Sequence, residues 1–208
     1  MVALAIGLAL VSAPGWALFD EQKKGEDPKA AAAANPEAQA ALDAGLAAVK
    51  EADAAAGDGK GKLPAAAKAA YAKAREQFTA ATKADPNLAQ AWNGVGYSNR
   101  KLGDYKAALA AYDKAIELRM GYPEATEYRG EAYLALDRTE DAKQAYLDLF
   151  AVNRELAGKL LESMKKWAAT KGKKKDDVED LNDFIQERAQ IASQTASLTR
   201  EAATQGWN

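Results

Sequence analysis

Asn87-Leu-Ala-Gln-Ala-Trp-Asn-Gly-Val-Gly-Tyr-Ser-Asn-Arg-Lys-Leu-Gly-Asp-Tyr-Lys-Ala-Ala-Leu-Ala-Ala-Tyr-Asp-Lys-Ala-Ile-Glu-Leu118 is the stretch that decides the fold. It holds two helical patterns around a turn at Leu102-Gly103-Asp104-Tyr105. Trp92, Val95, Gly96 and Asn99 recur three to four apart in the first, and Ala108, Tyr112, Ala115 and Ile116 in the second. That spacing lines up apolar or small residues on one face of each helix.

The second pattern recurs along the chain. Ala74, Phe78 and Ala81 are followed, 34 residues on, by Ala108, Tyr112 and Ala115, and 34 further on by Ala142, Tyr146 and Leu149. Gly96 and Gly130 keep the same period. A chance motif does not hold register over three copies. Period and motif together resemble the tetratricopeptide repeat, whose pattern is W-x2-L-G-x2-Y, then A-x3-F, then P. Trp92, Val95, Gly96, Ala108 and Tyr112 carry the match, while Asn99 and Met120 stand where the pattern has Tyr and Pro. In the third copy Thr126 and Arg129 replace Trp92 and Val95, which predicts a rotated or less buried first helix.

The resemblance implies an all-α, tetratricopeptide-like right-handed solenoid of about three helical hairpins, finished by C-terminal capping helices. The hairpins are expected at about 36–86, 87–120 and 121–153, giving an array over 36–153 and capping helices over 154–208. Gly96, Ala108, Gly130 and Ala142 are expected to let the two helices of a hairpin approach closely. Phe78, Tyr112 and Tyr146 should fill the gaps between hairpins. Gly45 is aligned with Gly96, with a longer insertion before Ala74. Trp92 is expected in the core.

Composition supports this class and closes off others. Hydrophobic residues make up 48% of the 208, but aromatics only 8%, so alanine and leucine carry much of the packing. Alanine is the best helix former. With 28 basic and 30 acidic side chains the net charge is −2, without the basic excess of a general nucleic-acid binder. The chain has no Cys and no His. Disulfides, zinc thiolates, imidazole metal sites and Ser-His-Asp catalysis are therefore excluded. Carboxylates and lysines show no paired constellation, so no enzyme, cofactor or metal site is expected.

Val2 to Ala13 is an apolar run, and Gly15-Trp16-Ala17 follows it. The run has the form of a signal-peptide core, too short for an ordinary membrane span. Residues 1–17 read as a signal peptide cleaved after Ala17, which predicts a periplasmic or secreted bacterial protein. An uncleaved inner-membrane anchor is the alternative, and a lipoprotein is excluded by the absence of Cys. Residues 18–35 read as a linker. Pro36 and Pro64 are placed at helix starts. Gly57-Asp58-Gly59-Lys60-Gly61-Lys62 is a loop and not a phosphate loop, because Ala56 and Leu63 stand where that motif needs Gly and Ser or Thr.

Beyond Asn153 the period stops. Leu156, Leu160, Leu161, Met164 and Trp167 form the apolar face of another helix, and a basic break over 171–175 leads to a last helix over about 178–203. Arg188 lies within the apolar arc of that helix. Either the helix folds back to bring Arg188 to an acidic row, or it covers the end of the array, as repeat arrays require.

In tetratricopeptide proteins the first helices of the hairpins line a concave peptide-binding surface. The resemblance thus implies a groove of Gln90, Asn93, Tyr97, Arg100 and Lys101 in the second hairpin, and of Glu124, Glu127 and Glu131 in the third. The three glutamates share one face, either as solvated charges or as a seat for a basic partner. One subtype of the family clamps a terminal carboxylate with Lys, Arg and Asn. Asn93, Arg100 and Lys101 partly suit that, and the glutamates oppose it. The expected function is a non-catalytic adaptor that binds an extended segment or helix of another protein, with no nucleic acid and no small-molecule substrate. A self-associating scaffold is the alternative.

Overall fold

A computed structural model of the chain describes residues 35–57, 61–170 and 175–204. Eight helices and no strands occur among the described residues: α1 (Pro36–Ala56), α2 (Ala65–Ala84), α3 (Ala89–Leu102), α4 (Tyr105–Leu118), α5 (Pro123–Ala135), α6 (Thr139–Val152), α7 (Arg154–Thr170) and α8 (Lys175–Thr204). The expected signal peptide, linker and basic break lie outside the described residues, apart from Asn35 and the backbone of Lys175. None of the described helices is long and apolar enough to cross a membrane. The chain divides into two compact units, Met1–Leu102 and Gly103–Asn208.

In the first unit, Asn35 caps α1 by accepting from the backbone N–H groups of Glu37 and Ala38, with Pro36 at the helix start. Its Nδ2 also donates to the Ala84 carbonyl at 2.9 Å, tying the start of α1 to the end of α2. At the other end of the pair, Tyr71 of α2 donates to Asp53 of α1. These two ties fix α1 and α2 as antiparallel neighbours. Pro64 turns out to be the residue before α2, which begins at Ala65 and has no side-chain cap.

The centre of this unit is Phe78, fully buried. A Cβ placed on Gly45 or on Gly94 would come within 2.6 Å of the Phe78 ring. The ring therefore lies between α1 and α3, on bare backbone at both faces. Burying a Phe side chain contributes roughly 1.5–3 kcal/mol. Gly45 and Gly94 are the pair that receives it.

In the second unit, Asp104 caps α4 by accepting from the Ala107 N–H. Gly121 (φ 71°) turns the chain toward α5, a backbone state that glycine takes without a Cβ clash. The tight turn between α5 and α6 makes them antiparallel neighbours. Asp137 holds φ 58° there, and the N–H groups of Leu136, Asp137 and Arg138 bond back into the last turn of α5.

The residues at the 34-residue period are all buried: Ala74, Phe78 and Ala81; Ala108, Tyr112 and Ala115; Ala142, Tyr146 and Leu149. Two sequence expectations are corrected. The bare face of Gly130 is turned to Leu160 of α7, whose Cδ2 would lie 2.5 Å from an added Cβ, so its close approach serves α5 and α7 rather than α5 and α6. Trp92 is only half-buried, and its indole N–H donates to the Pro86 carbonyl at 2.8 Å. A polar ring edge satisfied by a turn carbonyl sits at the surface of a helix, not at its core.

The second unit ends in a cluster built from α6, α7 and α8, in which Leu149, Leu160, Met164, Trp167, Leu181 and Ile185 are buried together. Lys143 of α6 forms an ion pair with Asp180 of α8 and, at 2.9 Å, with Glu140. Phe184 of α8 meets Tyr146 edge-to-face at 5.5 Å. Arg188 pairs with Glu187 at 2.7 Å, and its guanidinium lies 5.2 Å above the Phe184 ring. Arg188 thus has a partner on its own helix, and α8 seats on α6 and α7 by the half that precedes Arg188.

Candidate protein-binding faces

The first face is built on α3. One helix turn places Tyr97 beside Arg100 and Lys101. The Arg100 guanidinium lies 5.3 Å from the Tyr97 ring centre. The Lys101 ammonium lies 5.4 Å from Tyr97 and 5.6 Å from Tyr71. The two rings meet edge-to-face at 6.2 Å. Both phenols donate to Asp53: Tyr71 to Oδ1, and Tyr97 to the two carboxylate oxygens at 3.1 and 3.2 Å. Burial pushes the Tyr71 phenol above its ordinary range, and the hydrogen bond and charge of Asp53 add to this, outweighing Tyr97 and Arg100. Tyr71 therefore stays a neutral donor at any physiological pH.

Sequence and structure place these residues differently in depth. Tyr97, Arg100 and Lys101 come together, with Arg100 and Lys101 half-buried. Gln90, Asn93 and Tyr97 are buried, with Asn93 at 0% exposure and Tyr97 at 2%. The half-buried cations, Arg100 and Lys101, form the outer part of this face. Asp53 and Tyr71 were missed, because they belong to the copy that departs from the period. A signal exists for Asp53: it follows Val49 by four residues, at the edge of the stripe Leu42, Gly45, Val49 and Ala52. A carboxylate in that place needs donors.

The second face is built on α5. Glu124 and Glu131 are half-buried, and Glu131 accepts from the Ser163 hydroxyl of α7 at 2.9 Å. Glu127 is 5% exposed. The reading of the three as ordinary solvated charges fails at Glu127, which lies on the inner side of α5 with Tyr128 and Thr126. Arg129, where the repeat pattern has an apolar residue, bonds Asp113 of α4 at 2.9 Å and lies within 4.0 Å of Asp148 of α6. Its charge is met by neighbouring second helices, which is why α5 tolerates it.

A helix pair with this period, these small residues and polar first helices has the form of a tetratricopeptide repeat. A sequence model described as "Tetratricopeptide repeat" matches residues 89–119, the span of α3 and α4. Among solved structures, the first TPR of Spaghetti (RPAP3) bound to the HSP90 peptide SRMEEVD is similar, with a TM-score of 0.51 and 20% identity. The match covers 64% of this chain and 95% of that one, and at this identity it speaks for the fold. No curated protein matches the sequence.

Proposed function

We propose that the chain is a non-catalytic interaction module that docks an extended segment of another protein on the first helices of its repeats. The observation that carries this is the α3 face, where Arg100 and Lys101 are held over Tyr97 and Tyr71 by a ring–carboxylate cluster. Cations fixed this way are preorganised, so little side-chain freedom is lost when a ligand binds. They suit a segment carrying carboxylates. The Spaghetti module, bound to the acidic peptide SRMEEVD, supports a segment of that kind. In the second unit the half-buried Glu124 and Glu131 of α5 offer the opposite charge and suit a basic residue of the partner.

The test is a display library of random peptides panned on the full chain. Enriched peptides should be acidic, and R100E/K101E should weaken them at least about tenfold, or 1.4 kcal/mol. Failure to enrich any peptide, or binding indifferent to that double substitution, defeats the proposal. We propose too, from the apolar run of residues 2–13 followed by Gly15-Trp16-Ala17, that the protein is exported with Leu18 as the first residue of the mature form; mass spectrometry of exported protein would show that mass, and an intact Met1 on membranes would speak for an anchor.

A further inference from the structure

We propose that the second unit carries a docking edge of its own, where Arg119, Arg154 and Arg188 form a row that takes an acidic, extended segment of a partner protein. The edge belongs to the second unit alone and does not rest on the reading of the α3 face.

The row follows from how α4, α6 and α8 lie together. The short turns before and after α5 reverse the chain twice, so α4 and α6 run parallel. One guanidinium, that of Arg129, bonds Asp113 of α4 at 2.9 Å and lies 4.0 Å from Asp148 of α6. This places the two helices side by side with Asp113 and Asp148 level. Helix α4 ends at Leu118, five residues past Asp113, and α6 ends at Val152, four past Asp148. Their last turns are therefore neighbours, and Arg119 and Arg154 follow directly on them. Lys143 meets Asp180 and Tyr146 meets Phe184, so α8 runs parallel to α6 as well. One turn beyond Phe184, Arg188 comes level with Phe150 in the last turn of α6.

Each of the three arginines is held over an aromatic ring. The Arg119 guanidinium lies 4.7 Å from the Tyr122 ring centre, Arg154 4.6 Å from Phe150, and Arg188 5.2 Å from Phe184. Stacking uses the flat face of a guanidinium and leaves its N–H edge for a carboxylate. Arg119 and Arg154 are exposed, and neither pairs with a carboxylate among the described residues. The acids beside them in sequence are held elsewhere, Glu117 by Lys114 at 3.0 Å and Glu155 by Lys159 at 2.8 Å. Arg188 is half-buried and already pairs with Glu187, which makes it the weakest member of the row. Met120 is 92% exposed and Val152 63%, two of the three large hydrophobic residues left open among the described residues. Unpaired cations beside open apolar side chains suit a segment in which acidic and apolar residues are interspersed. Packed helices lie about 8–10 Å apart. A polyproline II segment advances about 9 Å in three residues, so a carboxylate at every third position reaches successive arginines. The apolar residues between them cover Met120 and Val152. Glu117, Glu155 and Glu187 border the row and would face a flat anionic surface, which disfavours a membrane as the occupant.

Fluorescence anisotropy of a labelled peptide of three Glu-Leu-Pro repeats, titrated with the full chain, tests the edge. Saturable binding is expected. Arg119→Glu with Arg154→Glu should weaken it at least about tenfold, or 1.4 kcal/mol. Arg188→Gln should weaken it less, and R100E/K101E should leave it unchanged. Arg119 and Arg154 are exposed, so the double variant should keep the circular dichroism of the parent. Arg119→Gln with Arg154→Gln, which adds no charge, should weaken the peptide in the same direction and keeps the test open if the glutamates unfold the chain. No saturable binding overturns the proposal, as does binding indifferent to the Arg119 and Arg154 substitutions, or a control peptide of Lys-Leu-Pro repeats that binds equally well. Affinity lost to R100E/K101E but not to Arg119→Glu with Arg154→Glu assigns the peptide to the α3 face and overturns the edge alone. Phosphatidylserine vesicles that bind the parent chain but not the Arg119 and Arg154 variants, while the peptide fails to bind, overturn it in favour of a membrane surface.

Discussion

Phe78 and Tyr146 hold the same place in the 34-residue period, two periods apart, and their surroundings differ. Phe78 in the first unit rests on the backbone of Gly45 and Gly94. In the second unit Tyr112 lies against Tyr128, ring centres 6.1 Å apart, and Tyr146 lies against Phe150 and Phe184 at 5.8 and 5.5 Å. Tyr128 stands one period after Gly94. The repeat thus fixes where an aromatic ring goes, and each unit decides whether it meets backbone or another ring. A ring on backbone admits no adjustment, since neither side has a rotamer to change. A ring among rings can be repacked.

The largest expected effect follows from that contrast. Phe78→Ala should cost about 3–5 kcal/mol, because two glycines cannot grow into the cavity. Tyr146→Ala should cost less, since Phe150 and Phe184 can close on the space. Urea denaturation followed by circular dichroism checks both, and equal losses would break the comparison.

Next in size are the glycines themselves. Gly94→Ala would set a Cβ 2.6 Å from Phe78 Cγ and Cδ1, ring atoms near the backbone that cannot swing away. An overpacking cost of about 1–3 kcal/mol should exceed the roughly 1 kcal/mol that alanine gains over glycine in a helix. Gly130→Ala would meet the terminal methyls of Leu160, which can turn aside, so its midpoint should move far less. A parent-like midpoint for Gly94→Ala would show that the Phe78 ring is loosely held.

Tyr97→Phe removes one of the two phenols on Asp53 and should cost about 0.5–1.5 kcal/mol, the worth of one hydrogen bond. It should also loosen Arg100 and Lys101. Melting temperature reads the first effect, and peptide affinity the second; affinity unchanged beside a lowered melting temperature would leave Asp53 a purely structural residue.

The smallest effect is electrostatic and belongs to α8. The hydrogen bond from Lys143 holds the Asp180 carboxyl below its ordinary range. Burial alone would lower the Lys143 ammonium, but its bonds to Asp180 and Glu140 outweigh that and raise it. A carboxyl lowered in the folded chain contributes fully above its ordinary value of about 3.9 and loses that contribution as the pH falls through the lowered one. Hydrogen exchange of α8 amides should therefore accelerate below about pH 4, relative to α5. Asp180→Asn should remove that difference and cost under about 1 kcal/mol, because Asp180 is largely exposed. Identical acid behaviour of the two forms would assign the seating of α8 to Leu181, Phe184 and Ile185 alone.

Much of this was legible beforehand, for a physical reason. A helix face is written locally, so the spacing of Ala74, Phe78 and Ala81 and its two echoes located the buried side of α2, α4 and α6. The first helices were harder. Their apolar stripes are interrupted by Gln90, Asn93, Glu127 and Arg129, and a polar residue at helical spacing reads as surface until its partners are known. Asp113 and Asp148 account for Arg129 only once α4 and α6 flank α5. Trp92 misled for the converse reason: its place in the motif is local, but its exposure depends on the turn at Pro86.

By itself the sequence determined the helical class, the period, the buried triplets and the residues that carry charge on α3 and α5, since each follows from composition and spacing along one helix. Only the tertiary structure decided that Asp53 and Tyr71 join Tyr97 and Lys101, that Gly130 serves Leu160, that Glu127 lies inside, and that α8 seats on α6 and α7 through Asp180 and Phe184. Those pairs lie 30 to 44 residues apart wherever they join Asp53 to Tyr97, Gly130 to Leu160 or Lys101 to Tyr71. Over such separations the meeting of two side chains is set by how helices pack, and one-dimensional spacing carries no record of it.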